Sequence, residues 1–430
     1  MSTVGAQRPI SPPAPRLAEG RFRHALLAIA ASAVAIRVLY ILVEAPWPPA
    51  ALDDQYYFSA LPKLIANGHG FIAPFKFDFK HVTVPTAEHP PLYSVVLALP
   101  AWLGLDSPDA QRLPGALFGA GTVIALGLLA RRLAGPRAGL LAAGLAALYP
   151  TLVVADGTLM SETLYGLLVA LTLLAAYRYV AAPDVRAALL LGALIGLAAL
   201  TRGEALLLIP LLLVPLLRRP GGLRGAALAV LACLVVLTPW TIRNWAAFDR
   251  PVLVATNSGT AIAGANCDAT FHGDKLGGWN PPCIKEHPGK NEAEHHAEAL
   301  RDGVRYAGDH LGRLPVVLAA RVGRVWSLYD PFQIPEGRSV RVQKLGTIAF
   351  FLLLPFAAWG TLLLHRRGRH PWILMMPFAV VTVTALVTYG NVRFREPAEL
   401  SLVILAAVAL DELLRRRQEG PLEPATSGAP

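Results

Sequence analysis

Two adjacent carboxylates, Asp53 and Asp54, head the stretch DDQYYFSALPKLIANGHGF, shortly after a long apolar run. An aspartate in water, with a pKa of about 3.9, is a weak base; a neighbouring carboxylate and a low-dielectric setting both raise it. An Asp directly before a helical stripe also caps a helix by accepting backbone N–H groups and favouring the dipole. Both roles are open to this pair. Further on stands Glu88-His89-Pro90-Pro91. The prolines suit the first turn of a helix, while Glu and His side by side could hold a metal or touch a phosphate. A divalent metal stays open as a cofactor, although a stable site takes three or four ligands. Arg202, Arg243, Arg393 and Arg395 lie at the ends of apolar runs. Each could snorkel to an interface; as a group they could hold a phosphate through bidentate, charge-assisted bonds. Asp156 and Glu162, in ADGTLMSETLY, are further acids at run ends, and capping beside Ser161 accounts for Glu162. His272, His287, His295 and His296 match no zinc spacing and are expected to be solvated.

The elements that must position these residues are apolar. Of 430 residues, 54% are hydrophobic and only 16% charged, and the mean hydropathy is +0.47. Hydrocarbon offers the backbone no partners, so long Ala- and Leu-rich runs read as transmembrane helices. The expected fold is an all-α polytopic membrane protein with about ten spans. These fall at 24–43, 113–130, 138–153, 162–180, 187–200, 204–217, 223–242, 345–364, 371–389 and 398–414. The charges of Thr201-Arg202-Gly203-Glu204 make it the natural turning point within 187–217, since charges are costly in lipid. The first span is about a bilayer long and reads as an uncleaved anchor. Residues 1–23 and 415–430 are expected as cytoplasmic tails, the first Pro-rich and disordered.

Segment 91–105, PLYSVVLALPAWLGL, decides the topology. If it lies in the interface rather than crossing, Arg131, Arg132, Arg137, Arg178, Arg186, Arg218, Arg219, Arg224, Arg366, Arg367, Arg369 and Arg415–Arg417 share one side with Arg16, Arg21 and Arg23. Cytoplasmic loops retain such arginines. The formal net charge of +10 is then topology, and nucleic acid is not a partner. Both termini are placed in the cytoplasm, and the polar outer loops 44–112 and 244–344 across the cell membrane. Cys267 and Cys283 fall in the second loop, an oxidising setting in which a disulfide is plausible. Leu314, Val317, Leu318, Val322 and Val325, with Arg313, Arg321 and Arg324 interleaved, predict an amphipathic helix on the membrane surface. Tyr57, Ala60, Leu61, Leu64 and Ile65 predict another.

The order of motifs resembles the polyprenyl-phosphate-dependent glycosyltransferases of the GT-C class, in particular the protein O-mannosyltransferase and lipid A aminoarabinose transferase group, glycosyltransferase family 39 in the broad sense. The resemblance rests on D-D-x-x-Y at Asp53–Tyr57, H-P-P-L-Y from His89, Arg112-Leu113-Pro114, S-E-T-L-Y around Glu162, the turn from Gly196 to Arg202, and Arg243-Asn244-Trp245. It covers most of residues 25–414. The resemblance implies a sugar donor on a polyprenyl phosphate and an unknown lipid, glycan or protein acceptor at the outer face. It makes Asp53 the catalytic base of an inverting single displacement, with Asp54 its acidic neighbour and Tyr57 the matching aromatic. It sets His89 against the donor phosphate where Lys is usual in the aminoarabinose group, with Glu88 as an acidic neighbour. Arg202, Arg243, Arg393 and Arg395 are the further candidate cations for the departing phosphate.

Two other classes compete. A transporter favours buried charges at mid-membrane and internal repeats; Arg37 and Asp411 lie inside terminal spans, but no repeat is evident. A non-catalytic GT-C-like subunit would not depend on the carboxylate of Asp53.

Overall fold

The computed structural model describes residues 16–43, 53–217, 221–333 and 340–419. The regular structure of these residues is helical, and the only strand-like pairing among them is an isolated bridge between Ile72 and Pro85. The helices are α1 (Arg16–Val43), α2 (Asp54–Ala66), α3 (Pro74–Lys80), α4 (Leu92–Trp102), α5 (Pro108–Ala134), α6 (Pro136–Leu148), α7 (Pro150–Gly157), α8 (Glu162–Ala181) and α9 (Val185–Ala199). After 3₁₀ and π turns at Gly203–Leu207 and Ile209–Leu213 come α10 (Val214–Leu216), α11 (Gly222–Phe248), α12 (Asn257–Ala265), α13 (Asp268–Phe271), α14 (Glu292–Asp309) and α15 (Leu314–Val325). The last three are α16 (Val340–Arg366), α17 (Trp372–Val387) and α18 (Glu396–Glu419).

Local chemistry sets several of these boundaries. Ser107 caps α5 by accepting the Ala110 N–H, with Pro108 in the first turn; Asp184 does the same for α9 through Ala187. The expected span at 138–153 is bent by 56° between α6 and α7, where Pro150 cannot donate the hydrogen bond that would continue α6. Among the described residues five helices are long and apolar enough to cross a membrane, or six counting that bent pair. Helices α9 and α17, at 15 and 16 residues, are shorter than the roughly 20 a bilayer needs. Helix α1 begins at Arg16, inside the stretch expected as a tail. Residues 1–15, the start of the first outer loop at 44–52, Arg218 and Arg219, and residues 420–430 lie outside the described residues.

Helix α18 runs through the middle of the bundle. Leu400 and Leu402–Ala409 are almost wholly buried, as expected of a helix apolar on every side. It packs against α16, α6, α17, α5 and α8, while α11 packs along α9. At that second contact Gly192 permits backbone approach: a Cβ there would lie 1.9 Å from the Ala229 carbonyl oxygen. Small residues let membrane helices close in this way.

The bundle has two chemically different ends. At one, the arginine clusters find partners: Arg131 lies over the Phe22 ring, Arg137 pairs with Asp411, and Arg367 with Glu412. At the other, α4 is tied to the end of α9 by the Leu92 N–H donating to the Leu200 carbonyl, 2.9 Å. The two long polar segments, before α5 and after α11, meet there as well. Thr256 N–H donates to Ala87 O (2.9 Å) and Asn257 N–H to Glu88 O (3.1 Å). Helix α15 forms as expected, but Arg321 and Arg324 turn inward instead of lying along a surface. Arg321 donates to the carbonyls of Ala265 and Leu386, and Arg324 to that of Leu276. Cys267 and Cys283 are bonded to each other, and Cys233 is buried in α11.

Candidate active site

The site grows from the start of α2. Asp53 caps that helix, its Oδ1 accepting the Tyr56 N–H at 2.9 Å, while Gln55 reaches its Oδ2 at 3.4 Å. Asp54, the first residue of α2, is thereby aimed the other way, toward His89 and Arg393. Its Oδ2 lies 3.1 Å from Arg393 Nη2 and its Oδ1 3.4 Å from His89 Nε2. The His89 ring is wedged against Tyr57 and Phe58, with centroids 4.6 and 5.0 Å apart. On its far side Nδ1 stands 3.3 Å from Asn257 Nδ2.

Arg393 leads onward to Glu162. That carboxylate is 2% exposed and bridges two guanidiniums, with Oε1 2.6 Å from Arg202 Nη1 and 2.9 Å from Arg393 Nε. Arg202 also pairs with Glu204. Capping therefore does not account for Glu162: Ser161 makes no side-chain cap bond, and the carboxylate bridges the two arginines and holds them in place. Asp156, expected at a span end, is instead buried inside the bundle, where it pairs with Arg37 at 2.6 Å and accepts from Thr163 Oγ1.

These groups open onto a cavity of about 620 Å³ lined by Asp54, Glu88, His89, Arg202, Glu204 and Arg393. Its lining also includes the aliphatic side chains of Leu206, Leu207, Val252–Val254, Val383 and Val387, with Trp279 and Tyr389. The cavity thus joins an ionic end to an apolar wall. Asp53 is not among its lining residues. Arg243 and Arg395 are elsewhere too. Arg243 donates to the carbonyls of Thr86 and Phe71, both at 2.7 Å, among the rings of Phe71, Trp240 and Phe248. It clips the segment between α2 and α4 to α11. Arg395 is buried, paired with Glu399 at 2.6 Å and stacked over Phe350.

The charges tune one another. Burial pushes the Asp53 carboxyl up, against the pull of the Tyr56 N–H. Burial acts on Asp54 in the same direction, but His89 and Arg393 outweigh it and hold that carboxyl well below the usual range. Burial would lower His89, yet the neighbouring Asp54 and Glu88 raise it above its ordinary value. Glu88 is pushed up to about 7, chiefly by burial, with Glu292 and Asp54 adding to the shift and His89 opposing it. A carboxyl that titrates near neutrality and one kept ionised by its ion-pair partners therefore share the cavity. Among the described residues no group of three or more His, Cys, Asp or Glu is placed to hold a metal ion.

Residues 88–242 match the family described as dolichyl-phosphate-mannose-protein mannosyltransferase. That stretch includes Glu88, His89, Glu162 and Arg202. Among solved structures, the oligosaccharyltransferase AglB of Archaeoglobus fulgidus, in complex with an inhibitory peptide and a dolichol-phosphate, superposes with a TM-score of 0.56 at 15% identity over 94% of this chain and 52% of its own. The fold is that of the GT-C glycosyltransferases. ArnT of Cupriavidus metallidurans, bound to undecaprenyl phosphate, matches at a TM-score of 0.41 and 18% identity over 93% of this chain and 79% of its own. The chain spans about half the length of AglB. No curated protein matches the chain by sequence.

On this GT-C scaffold the structure brings together Asp54, Tyr57, Glu88, His89, Glu162, Arg202 and Arg393 from the residues singled out in the sequence. It adds Glu204, Asn257, Trp279 and His296. His296, expected in solvent, sits in the cavity wall with Nδ1 against the Thr256 carbonyl and the Gly259 N–H. Asn257 lies in no motif. Only the docking of the segment after α11 on the segment before α4 brings it to His89.

Proposed function

We propose that the chain transfers a sugar from a polyprenyl-phosphate donor to an acceptor hydroxyl or amine, in a single displacement that inverts the anomeric carbon. The observation that carries this reading is the convergence of Arg202, Arg393 and His89 with Asp54 and Glu88 on one cavity that also has an aliphatic wall. An anionic head on an apolar chain fits that pairing of an ionic end with a greasy one. The matched family is described by a dolichyl-phosphate-linked mannose donor, and AglB was solved with a dolichol-phosphate.

In this mechanism the bond from the anomeric carbon to the phosphate oxygen breaks as the bond to the acceptor atom forms. The leaving phosphate keeps the electron pair, and the acceptor's proton passes to a carboxylate. Arg202, Arg393 and His89 stabilise the charge that develops on the phosphate. Asp54 is the base, because it is the member of the acidic pair that faces the cavity; Asp53 holds the helix that carries it. A phosphate competing for Arg393 and His89 would strip Asp54 of its ion-pair partners. Burial, the largest influence on that carboxyl, would then raise its proton affinity as the donor arrives. The arginine-rich end of the bundle supports a cytoplasmic placement for it and for both termini, with the cavity at the outer face of the cell membrane.

The test uses purified protein in nanodiscs with mannosyl-, glucosyl- and arabinosyl-phosphoundecaprenol, following donor breakdown. Turnover of one donor by the wild type is expected, lost by about 100-fold or more in Asp54→Asn, the scale on which a general base contributes. Asp53→Asn should keep most of it, since Asn is as good an N-cap. Equal turnover in both variants and the wild type would remove Asp54 as the base. Failure of the wild type on all three donors while it still binds undecaprenyl phosphate would favour a non-catalytic subunit.

A further inference from the structure

We infer that Asn257 is the positioning residue of His89: its amide stands against Nδ1 and, by turning its NH₂ or its oxygen inward, supports both the neutral imidazole and the cation at the cavity. This deepens the proposed function for the same site, but the geometry stands without it. Asn257 belongs to the segment after α11 and His89 to the segment before α4. Two backbone bonds lock the segments in register, Thr256 N–H to Ala87 O and Asn257 N–H to Glu88 O. Glu292, from α14, closes the junction by accepting both the Ala87 N–H and the Thr256 hydroxyl at 2.7 Å. The Asn257 side chain is therefore held opposite Nδ1 by contacts that do not involve its own amide.

The imidazole has a polar partner on each nitrogen: Asp54 at Nε2 and Asn257 at Nδ1. With the Asn257 NH₂ turned toward Nδ1, that nitrogen must be bare and the single proton sits on Nε2, facing the Asp54 carboxylate. A doubly protonated ring needs an acceptor at Nδ1, and the same amide supplies one by rotating so that its oxygen faces inward. Asn is one of few side chains that can serve both states from one position. The charged groups facing the ring are Asp54 from α2, Glu88 beside it, and Arg393 from the turn before α18. They favour the cation on balance, and Asn257 adapts to it. His89 can thus stand where a permanent cation would otherwise be needed at a phosphate.

The test is an NMR titration of the full chain in nanodiscs with ¹⁵N-labelled histidine, His89 being identified from the signal lost in His89→Gln. Asn257→Asp places a carboxylate at Nδ1 and should move the His89 midpoint up by a unit or more. Asn257→Leu removes the acceptor and should move it down by half a unit or more. The Asn257 backbone bond to Glu88 survives both changes, and unmoved signals from the other histidines report an intact fold. A midpoint that stays put in both variants, or shifts the same way in both, overturns the inference. The upper pH limit of undecaprenyl phosphate binding should follow the midpoint. Loss of that binding in the wild type would sink the proposed function while leaving the titration result to stand or fall alone.

Discussion

Replacing Glu162 by Gln tests whether the ionic end of the cavity is held together by one buried carboxylate. Gln keeps the size of the side chain and an acceptor oxygen, and removes only the charge. Glu162 Oε1 lies 2.6 and 2.9 Å from the two guanidiniums, and its side chain is 2% exposed. Two unit charges 4 Å apart attract by about 4 kcal/mol at an effective dielectric near 20, so the two contacts amount to about 8 kcal/mol before desolvation. Breaking a buried pair costs about 3–5 kcal/mol net. Arg202 retains Glu204 and Arg393 retains Asp54, so we expect the lower end, about 3 kcal/mol. The assay is reversible unfolding in mixed micelles followed by tryptophan fluorescence, on Glu162→Gln, Arg393→Gln and the double variant. The double variant should be less destabilised than the two singles combined, because each single leaves a buried charge that the double does not. A loss below about 0.5 kcal/mol in Glu162→Gln, the range of ordinary surface changes, would refute the reasoning.

Three further outcomes follow from the geometry. Arg37→Met should destabilise by about 3–5 kcal/mol by stranding the buried Asp156 carboxylate, and adding Asp156→Asn should recover much of that in the same unfolding assay. The Cys267→Ser/Cys283→Ser variant opens a loop with a sequence separation of 16 and should lose about 3 kcal/mol by chain entropy, read as faster amide exchange across 268–282. Glu88 favours its protonated form when folded, with a value of about 7 against 4.5 for the free group. Its contribution to stability is therefore present below about pH 4.5 and lost as pH rises through 7. Glu88→Gln should match the wild type at pH 4 and exceed it at pH 8; a wild type more stable than the variant at pH 8 would reverse the sign of the argument.

The membrane class, the helical fold and most of the ionic cluster were legible in the sequence, for reasons that act locally. Long apolar runs must become helices in lipid, and Arg131, Arg137 and Arg367 gather at one end of the bundle. The turn at Thr201–Glu204 falls where charge forbids a continuous span. Asp53 is read as a cap because capping depends only on the few residues that follow it, here Asp53 to Tyr56.

The sequence could not say which way each polar side chain turns. Asp53 and Asp54 are neighbours, yet one serves its own helix and the other faces the cavity, since successive side chains on a helix point in different directions. Arg202, Arg243, Arg393 and Arg395 looked equivalent at span ends. Packing sends Arg202 and Arg393 to a shared Glu162, Arg243 to loop carbonyls and Arg395 to Glu399. Asn257 carries no motif and gains its place only because two segments 168 residues apart dock edge to edge. A charge or amide gains meaning from what lies within a few ångströms, and periodicity along one chain does not encode that distance.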